Sequence, residues 1–262
     1  MAGVDRQGVA VSDNGSRVGS GLRWGPASLE GLGWLCRVGP APVEAWGCAM
    51  GWSRARAFGH ARRLVAQGWV ERCAMTRGEG SLLVASRSGV RMVGVPVLAA
   101  GVPAPTWWAH LVGCAWVAAW LTVRGRVMQG CREVLADGSW RGDLRWRDGR
   151  GQHKLGHRPD LAWLPDGAAR VAVEVELARK STPRLEAIVG LHARWRAAGQ
   201  SGGVIYVCGD ELVGERVREI AAGRGLGVGR GGGLRVERLE VVREQALQAW
   251  SARAKKGGST GS

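Results

Sequence analysis

The stretch "VAVEVE", Val171 to Glu176, constrains the fold more than any other part of the chain. Val171, Val173 and Val175 alternate with Ala172, Glu174 and Glu176, and a period of two is the periodicity of a strand, whose successive side chains leave opposite faces. The expectation is a half-buried strand with its valines inward and Glu174 and Glu176 side by side on the wet face. Neighbouring carboxylates repel, so either that face is solvated or a positive charge sits against it. Lys180 follows four residues after Glu176.

Upstream, "HRPDLAWLPDG" gives a second extended run, and residues 165–168 supply the turn of an antiparallel hairpin. In such a hairpin Asp160 lies near the start of one strand and the two glutamates near the end of its partner, so three carboxylates and Lys180 meet at one end of the sheet. Hard divalent cations such as Mg²⁺ or Mn²⁺ bind carboxylate oxygens and relieve their repulsion. A cation held there polarises a phosphodiester and lowers the pKa of its bound water. Asp160 and Glu174 are the expected metal ligands, and Glu176 or Lys180 orients the water or stabilises the phosphate. The plainer alternative is a set of solvated surface charges. Glu133 is a candidate additional carboxylate. His153 and His157, close to Asp160 in sequence, are candidate phosphate contacts or an ordinary loop pair.

The rest of residues 106–247 alternates in the same manner. "TWWAHLVGCAWVAAWLTVRG" is a strongly apolar helix, "WRGDLRW" a weak strand, "PRLEAIVGLHARWRAAG" a helix, "GGVIYVCGD" a strand, "ELVGERVREIAAGRG" a helix and "LRVERLEVV" a last strand. This order is that of a mixed sheet flanked by helices, an α+β or α/β domain. Residues 27–94 read differently: three helical segments, the first capped by Ser28, then "WVERCAM", a "TRGEG" tip and "SLLVAS". Three helices and a hairpin make a winged helix-turn-helix, whose third helix buries one face and offers the other to the major groove. Arg56, His60 and Arg63 fall on that outward face, and Arg54, Arg62 and the hairpin-tip Arg77 extend the expected DNA contacts. Residues 95–105, rich in Pro and Gly, read as a linker. Residues 1–26 and the basic tail 248–262 read as flexible ends.

Net charge is +15, which favours double-stranded DNA as a partner, although arginine exceeds lysine 33 to 4 and a GC-rich coding sequence would also inflate arginine. The six cysteines show no CxxC pair and are expected to be reduced, mostly buried thiols rather than a disulfide framework or zinc site. The uncharged run from Val102 to Val123 is broken by Pro103, Pro105 and His110, so it reads as a core helix, and the chain as cytoplasmic with no membrane partner.

"RPD", thirteen residues, then "EVE" with Lys180 beyond, resembles the PD-(D/E)xK nuclease core, with Glu176 where that motif carries lysine and Lys180 as a displaced equivalent. More specifically, "ARRLVAQGWVER", "HRPDLAWLP" and "AVEVELARKSTPRLEAI" resemble the replication-relaxation family of mobile-element proteins, over roughly residues 28–225. That resemblance implies a winged helix joined to a restriction-endonuclease-like domain acting in plasmid replication or mobilisation. It implies a Mg²⁺- or Mn²⁺-dependent endonuclease or nickase, or else a DNA-binding repressor or replication accessory with an inert nuclease-like domain. A second copy of the chain and other replication or mobilisation proteins stay open as partners. A phosphotyrosine mechanism is disfavoured, because the single tyrosine, Tyr206, lies inside an apolar strand. No Walker A sequence is present, which argues against an ATP-driven motor.

Overall fold

The computed structural model describes residues 25–75, 80–96, 101, 103–229 and 231–257. Arg77 lies outside the described residues, as do residues 97–100 and 102 of the segment read as a linker. The chain opens with α1 (Pro26–Val38), β1 (Ala41–Pro42), α2 (Val43–Ala49) and α3 (Arg54–Ala66). Pro26 stands in the first turn of α1, where a missing N–H breaks no helical bond. Ser28, expected to cap this helix, is instead buried inside it. Ser53 does cap α3, its side chain accepting the Arg56 N–H at 3.3 Å.

β2 (Val70–Ala74) and β3 (Ser81–Ala85) form the expected hairpin, and β1 pairs with the outer edge of β3 to give the order β1-β3-β2. A short helix the pattern did not reveal, α4 (Arg87–Val93), follows directly; Ser86 caps it by accepting the Gly89 N–H at 3.1 Å. With seven residues and an internal glycine it shows no periodicity to read.

α5 (Trp108–Val123) is apolar on nearly every side, and most of it is buried. A helix without a polar face needs partners all round. It finds them in α2, in the central strand of the main sheet and in the last helix. Among the described residues no helix is long and apolar enough to cross a membrane.

Next come β4 (Met128–Gln129), α6 (Cys131–Ala136), β5 (Gly142–Asp148), β6 (Gly151–His157), β7 (Leu161–Trp163) and β8 (Val171–Glu176). They are followed by α7 (Thr182–Ala197), β9 (Gly203–Cys208), α8 (Glu211–Ala222), β10 (Gly227–Val228), β11 (Gly233–Arg238) and α9 (Leu239–Gly257). Six strands form one mixed sheet, ordered β10-β11-β9-β8-β7-β4. β4 and β7 run antiparallel to their neighbours, whereas β8, β9, β11 and β10 are parallel, as crossovers through α7 and α8 require. The molecule is therefore a mixed α+β protein. β5 and β6 form a separate two-stranded hairpin.

Three expectations need correction. β8 has no wet face: α5 covers Val173 and Val175, while α7 and α8 cover the face that carries Ala172, Glu174 and Glu176, so both glutamates are 5% exposed. The last strand stops at Arg238, and "LEVV" opens α9, because Val242 and Ala246, one helical turn apart, are both buried. That helix continues to Gly257, through residues expected to be a loose tail.

The core has two parts, one on each face of the sheet. One joins α1, α2, α3 and β3 to α5, α9 and the valines of β8, so it crosses the expected domain boundary without a break. The other packs α7 and α8 against Ala172, Val204, Tyr206 and Leu234.

Candidate functional site

The β7–β8 hairpin brings Asp160 level with Glu174. Leu161 pairs with Val173, the Asp160 N–H donates to the Val173 carbonyl at 3.0 Å, and Asp160 Oδ2 accepts the Val175 N–H at 2.8 Å. This last bond fixes the carboxylate across the end of the sheet, with Oδ1 turned toward α5. There it accepts from His110 Nε2 at 3.0 Å.

Glu174 points to the opposite face. Its Oε1 accepts from His157 Nε2, at the end of β6, and from His192 Nε2, on α7, both at 2.8 Å. Burial alone would raise this carboxyl, but the His157 charge and the two histidine hydrogen bonds outweigh it and hold the group below its ordinary value. Conversely, Glu174 lifts His157 above the ordinary imidazole value against the opposing effect of burial. Tyr206, paired with Glu174 in the sheet register, lies on the same face with its hydroxyl buried and without a hydrogen-bond partner. Glu176, one pleat further on, pairs with Lys180. Burial still leaves its carboxyl above the ordinary value.

The four expected catalytic residues thus gather at one end of the sheet but open on two sides. Asp160 lines a cavity of about 370 Å³ with His110, Cys114, Cys131, Arg132 and Arg158. Glu176 and Lys180 line a separate pocket of about 610 Å³ between α7 and α8. The expected carboxylate repulsion is answered by protein donors: Glu174 by the His157 charge and hydrogen bonds from His157 and His192, Glu176 by Lys180. Glu133 is used elsewhere, its Oε2 accepting the Gly130 N–H at 2.8 Å at the start of α6. His153 pairs with Asp148 at 2.8 Å within the β5–β6 hairpin, away from Asp160.

These donors do not match Mg²⁺, which takes an all-oxygen set and keeps several waters. Both oxygens of Asp160 and Oε1 of Glu174 already accept from protein donors, and the groups nearest each are imidazole nitrogens and a thiol. Two clusters of possible ligands exist among the described residues, His110–Cys114–Asp160 and His157–Glu174–His192. Apart from Glu174 and Asp160, their members were not expected as ligands. His110 and Cys114, four apart on one helix, carry the only local spacing signal; the histidines around Glu174 come together through tertiary structure alone.

On α3, Arg54, Arg56, Arg62 and Arg63 are all exposed. His60 is not: it is 7% exposed, stacked on Trp52 at 4.2 Å, with Ser28 Oγ 2.8 Å from its Nδ1. It belongs to the buried seam because Trp52 and α1 close over that turn. Burial, then the charges of Arg63 and Arg56, hold it below its ordinary value. Arg56 Nε and an Arg63 guanidinium nitrogen lie 3.4 and 3.1 Å from its two ring nitrogens, of which only the unprotonated one accepts, so the histidine anchors one of them rather than joining them on the surface. No family model, curated protein or solved structure matches this chain.

Proposed function

We propose that the chain is a double-stranded DNA-binding protein of the kind found in the replication-relaxation family, with residues 27–94 acting as a winged helix-turn-helix. The observation that carries this reading is the exposed arginine face of α3. Arg54, Arg56, Arg62 and Arg63 project from a helix whose other side, Ala57, His60, Ala61 and Leu64, is buried against its neighbours. The β1-β3-β2 order beside it fits a wing, and the net charge of +15 fits a polyanionic partner. Replacing Arg56 and Arg63 by alanine is expected to weaken duplex binding and lower the log–log salt slope by about one unit per lost phosphate contact. A salt titration that gives wild-type affinity and slope for the double variant rejects α3 as the DNA-reading element.

The hairpin register favours a second activity, metal-dependent cleavage of the bound DNA. Asp160 beside Glu174, followed by Glu176 and Lys180, fits the order of a nuclease-like sheet, with α5, β4, β7, β8, α7 and β9 in that sequence and α6, β5 and β6 inserted between β4 and β7. Nicking of supercoiled plasmid, assayed with Mn²⁺ and separately with Mg²⁺ as the ion the donor set disfavours, is expected from wild type with Mn²⁺ and at least about tenfold less from Asp160→Asn, the loss of ~1.4 kcal/mol of transition-state stabilisation. If wild type binds duplex but leaves every plasmid form intact with both metals, the chain is a binding protein on a nuclease-like scaffold.

A further inference from the structure

Asp160 has neighbours that a carboxylate-only metal site would not have. His110 and Cys114 stand one turn apart on α5, on the side that meets the end of the β7–β8 hairpin. His110 Nε2 is 3.0 Å from Asp160 Oδ1 and 3.5 Å from Cys114 Sγ, and all three donor atoms lie within 4.8 Å of one another. In a nucleophilic cysteine relay the acid and the thiol use opposite nitrogens of the imidazole. Here both face the same nitrogen, so nitrogen, sulfur and oxygen surround a common point. A tetrahedral ion with arms of ~2.0–2.3 Å needs ligand atoms roughly 3–4 Å apart. The two separations from His110 Nε2, 3.0 and 3.5 Å, fall on that scale.

The surroundings fit a metal better than a hydrogen-bonded cluster. Asp160 is held by the Val175 N–H on Oδ2, the support from a neighbouring group that ligating carboxylates usually have, and an ion would take Oδ1 in place of the hydrogen bond from His110. The His157–Glu174–His192 cluster is weaker on the same criterion. His192 Nδ1 is buried without a partner, and ligation through Nε2 would force the proton onto that nitrogen, where nothing accepts it.

We infer that His110, Cys114 and Asp160 form a transition-metal centre of Zn²⁺ type, with its open position facing the cavity lined by Arg132 and Arg158 and suited to an anionic oxygen ligand such as phosphate. The cavity holds about 370 Å³, and Arg158 Nε is buried there without a hydrogen-bond partner. The centre shares Asp160 with the cleavage reading but depends neither on that reading nor on DNA binding. A mixed N, S and O donor set selects zinc, cobalt or a similar ion over magnesium.

The test uses the full chain, stripped with a chelator and titrated with Co²⁺ alone. Wild type is expected to bind one equivalent with a thiolate-to-cobalt charge-transfer band and intense visible bands. Cys114→Ser loses the charge-transfer band, and Asp160→Asn and His110→Gln weaken Co²⁺ binding by at least about tenfold. His157→Gln and Cys73→Ser retain the wild-type spectrum. Far-ultraviolet circular dichroism without metal checks that each variant folds, and Asp160→Asn, which keeps the side-chain shape, decides the result if Cys114→Ser does not fold. Absence of a cobalt spectrum from wild type, or retention of wild-type affinity by Asp160→Asn, overturns the centre. So does a spectrum lost in His157→Gln but kept in His110→Gln. Inorganic phosphate is expected to shift the visible bands of wild type but not of Arg158→Gln; no shift in wild type overturns the anion-binding half.

Discussion

Glu174 shows how one residue can belong to a strand pattern and still escape its usual meaning. A buried carboxylate survives only with partners, and here two imidazoles supply them. The linkage has opposite signs on the two sides. Glu174 is held low, so its contribution to stability is present above the ordinary carboxylate value of 4.5 and is lost as pH falls through its lowered value. His157 is raised, so its contribution is complete below the ordinary value of 6.5 and is lost as pH rises through its raised value. His157→Gln is therefore expected to lose about 2 kcal/mol of unfolding free energy near pH 6, on the scale of one charge-assisted hydrogen bond. The difference from wild type should shrink as pH climbs beyond 6.5. Taking the difference cancels Glu176, whose raised carboxyl also erodes stability as pH increases. A gap independent of pH from 6 to 9 in denaturant titrations would reject the ionic pairing. The pair Glu174 and Glu176 was legible in the sequence as either a solvated face or one met by positive charge, with Lys180 at hand for Glu176. The partners of Glu174 were not legible, since His157 and His192 lie 17 and 18 residues away on separate elements.

At the level of elements, what could be read depended on whether one periodicity stood alone. The hairpin of β7 and β8, the crossover helices α7 and α8 and the fully buried β9 each have a single consistent pattern and appear where expected. "LRVERLEVV" carries two, because alternation in β11 runs into the one-turn spacing of Val242 and Ala246, and nothing local marks the change at Leu239. The acids of β8 mimic a solvated face because alternation records polarity and not exposure; a strand central in a sheet covered on both sides is buried whatever its sequence alternation. β6 was missed for a different reason. "QHKLGH" has little apolar content, and what makes it a strand is the turn after Asp148, where Oδ1 accepts the Arg150 N–H at 2.8 Å and pairs with His153. That hairpin matters to the site, since it delivers His157 to Glu174. The helix that supplies His110 and Cys114 reads in the sequence as an apolar core helix, in which His110 registers only as a break in the uncharged run and Cys114 only as a buried thiol.

Across the whole molecule, the two units expected on either side of residues 95–105 do not have separate interiors. α5 lies between α2 and α9, with Trp120 Nε1 donating to Gln245 Oε1 at 2.9 Å and Trp34 Nε1 reaching Thr122 Oγ1 at 3.3 Å. α9 then returns to the first helices: Cys48 Sγ lies 3.1 Å from the Ala246 carbonyl, and the Trp250 indole donates to the carbonyl of Trp52, immediately before the turn that launches α3. Gly47 lets this happen, because a Cβ there would stand 2.7 Å from the Ala57 Cβ and 3.3 Å from the Trp250 ring. Such an arrangement ties the orientation of the arginine helix to the sheet that carries Asp160. Val242, fully buried on α9, reports on that tie. Val242→Asp puts an unpaired charge between α9 and α5 and is expected to cost about 3 kcal/mol or more. If the interior is one cooperative unit, hydrogen exchange should then accelerate together in α2, in α5 and in β9, and the thermal transition should move down as a single step. Independent units would behave otherwise: α2 and α3 would keep wild-type protection while the sheet alone loosened, and that outcome would return the arginine face and the Asp160 site to separate domains.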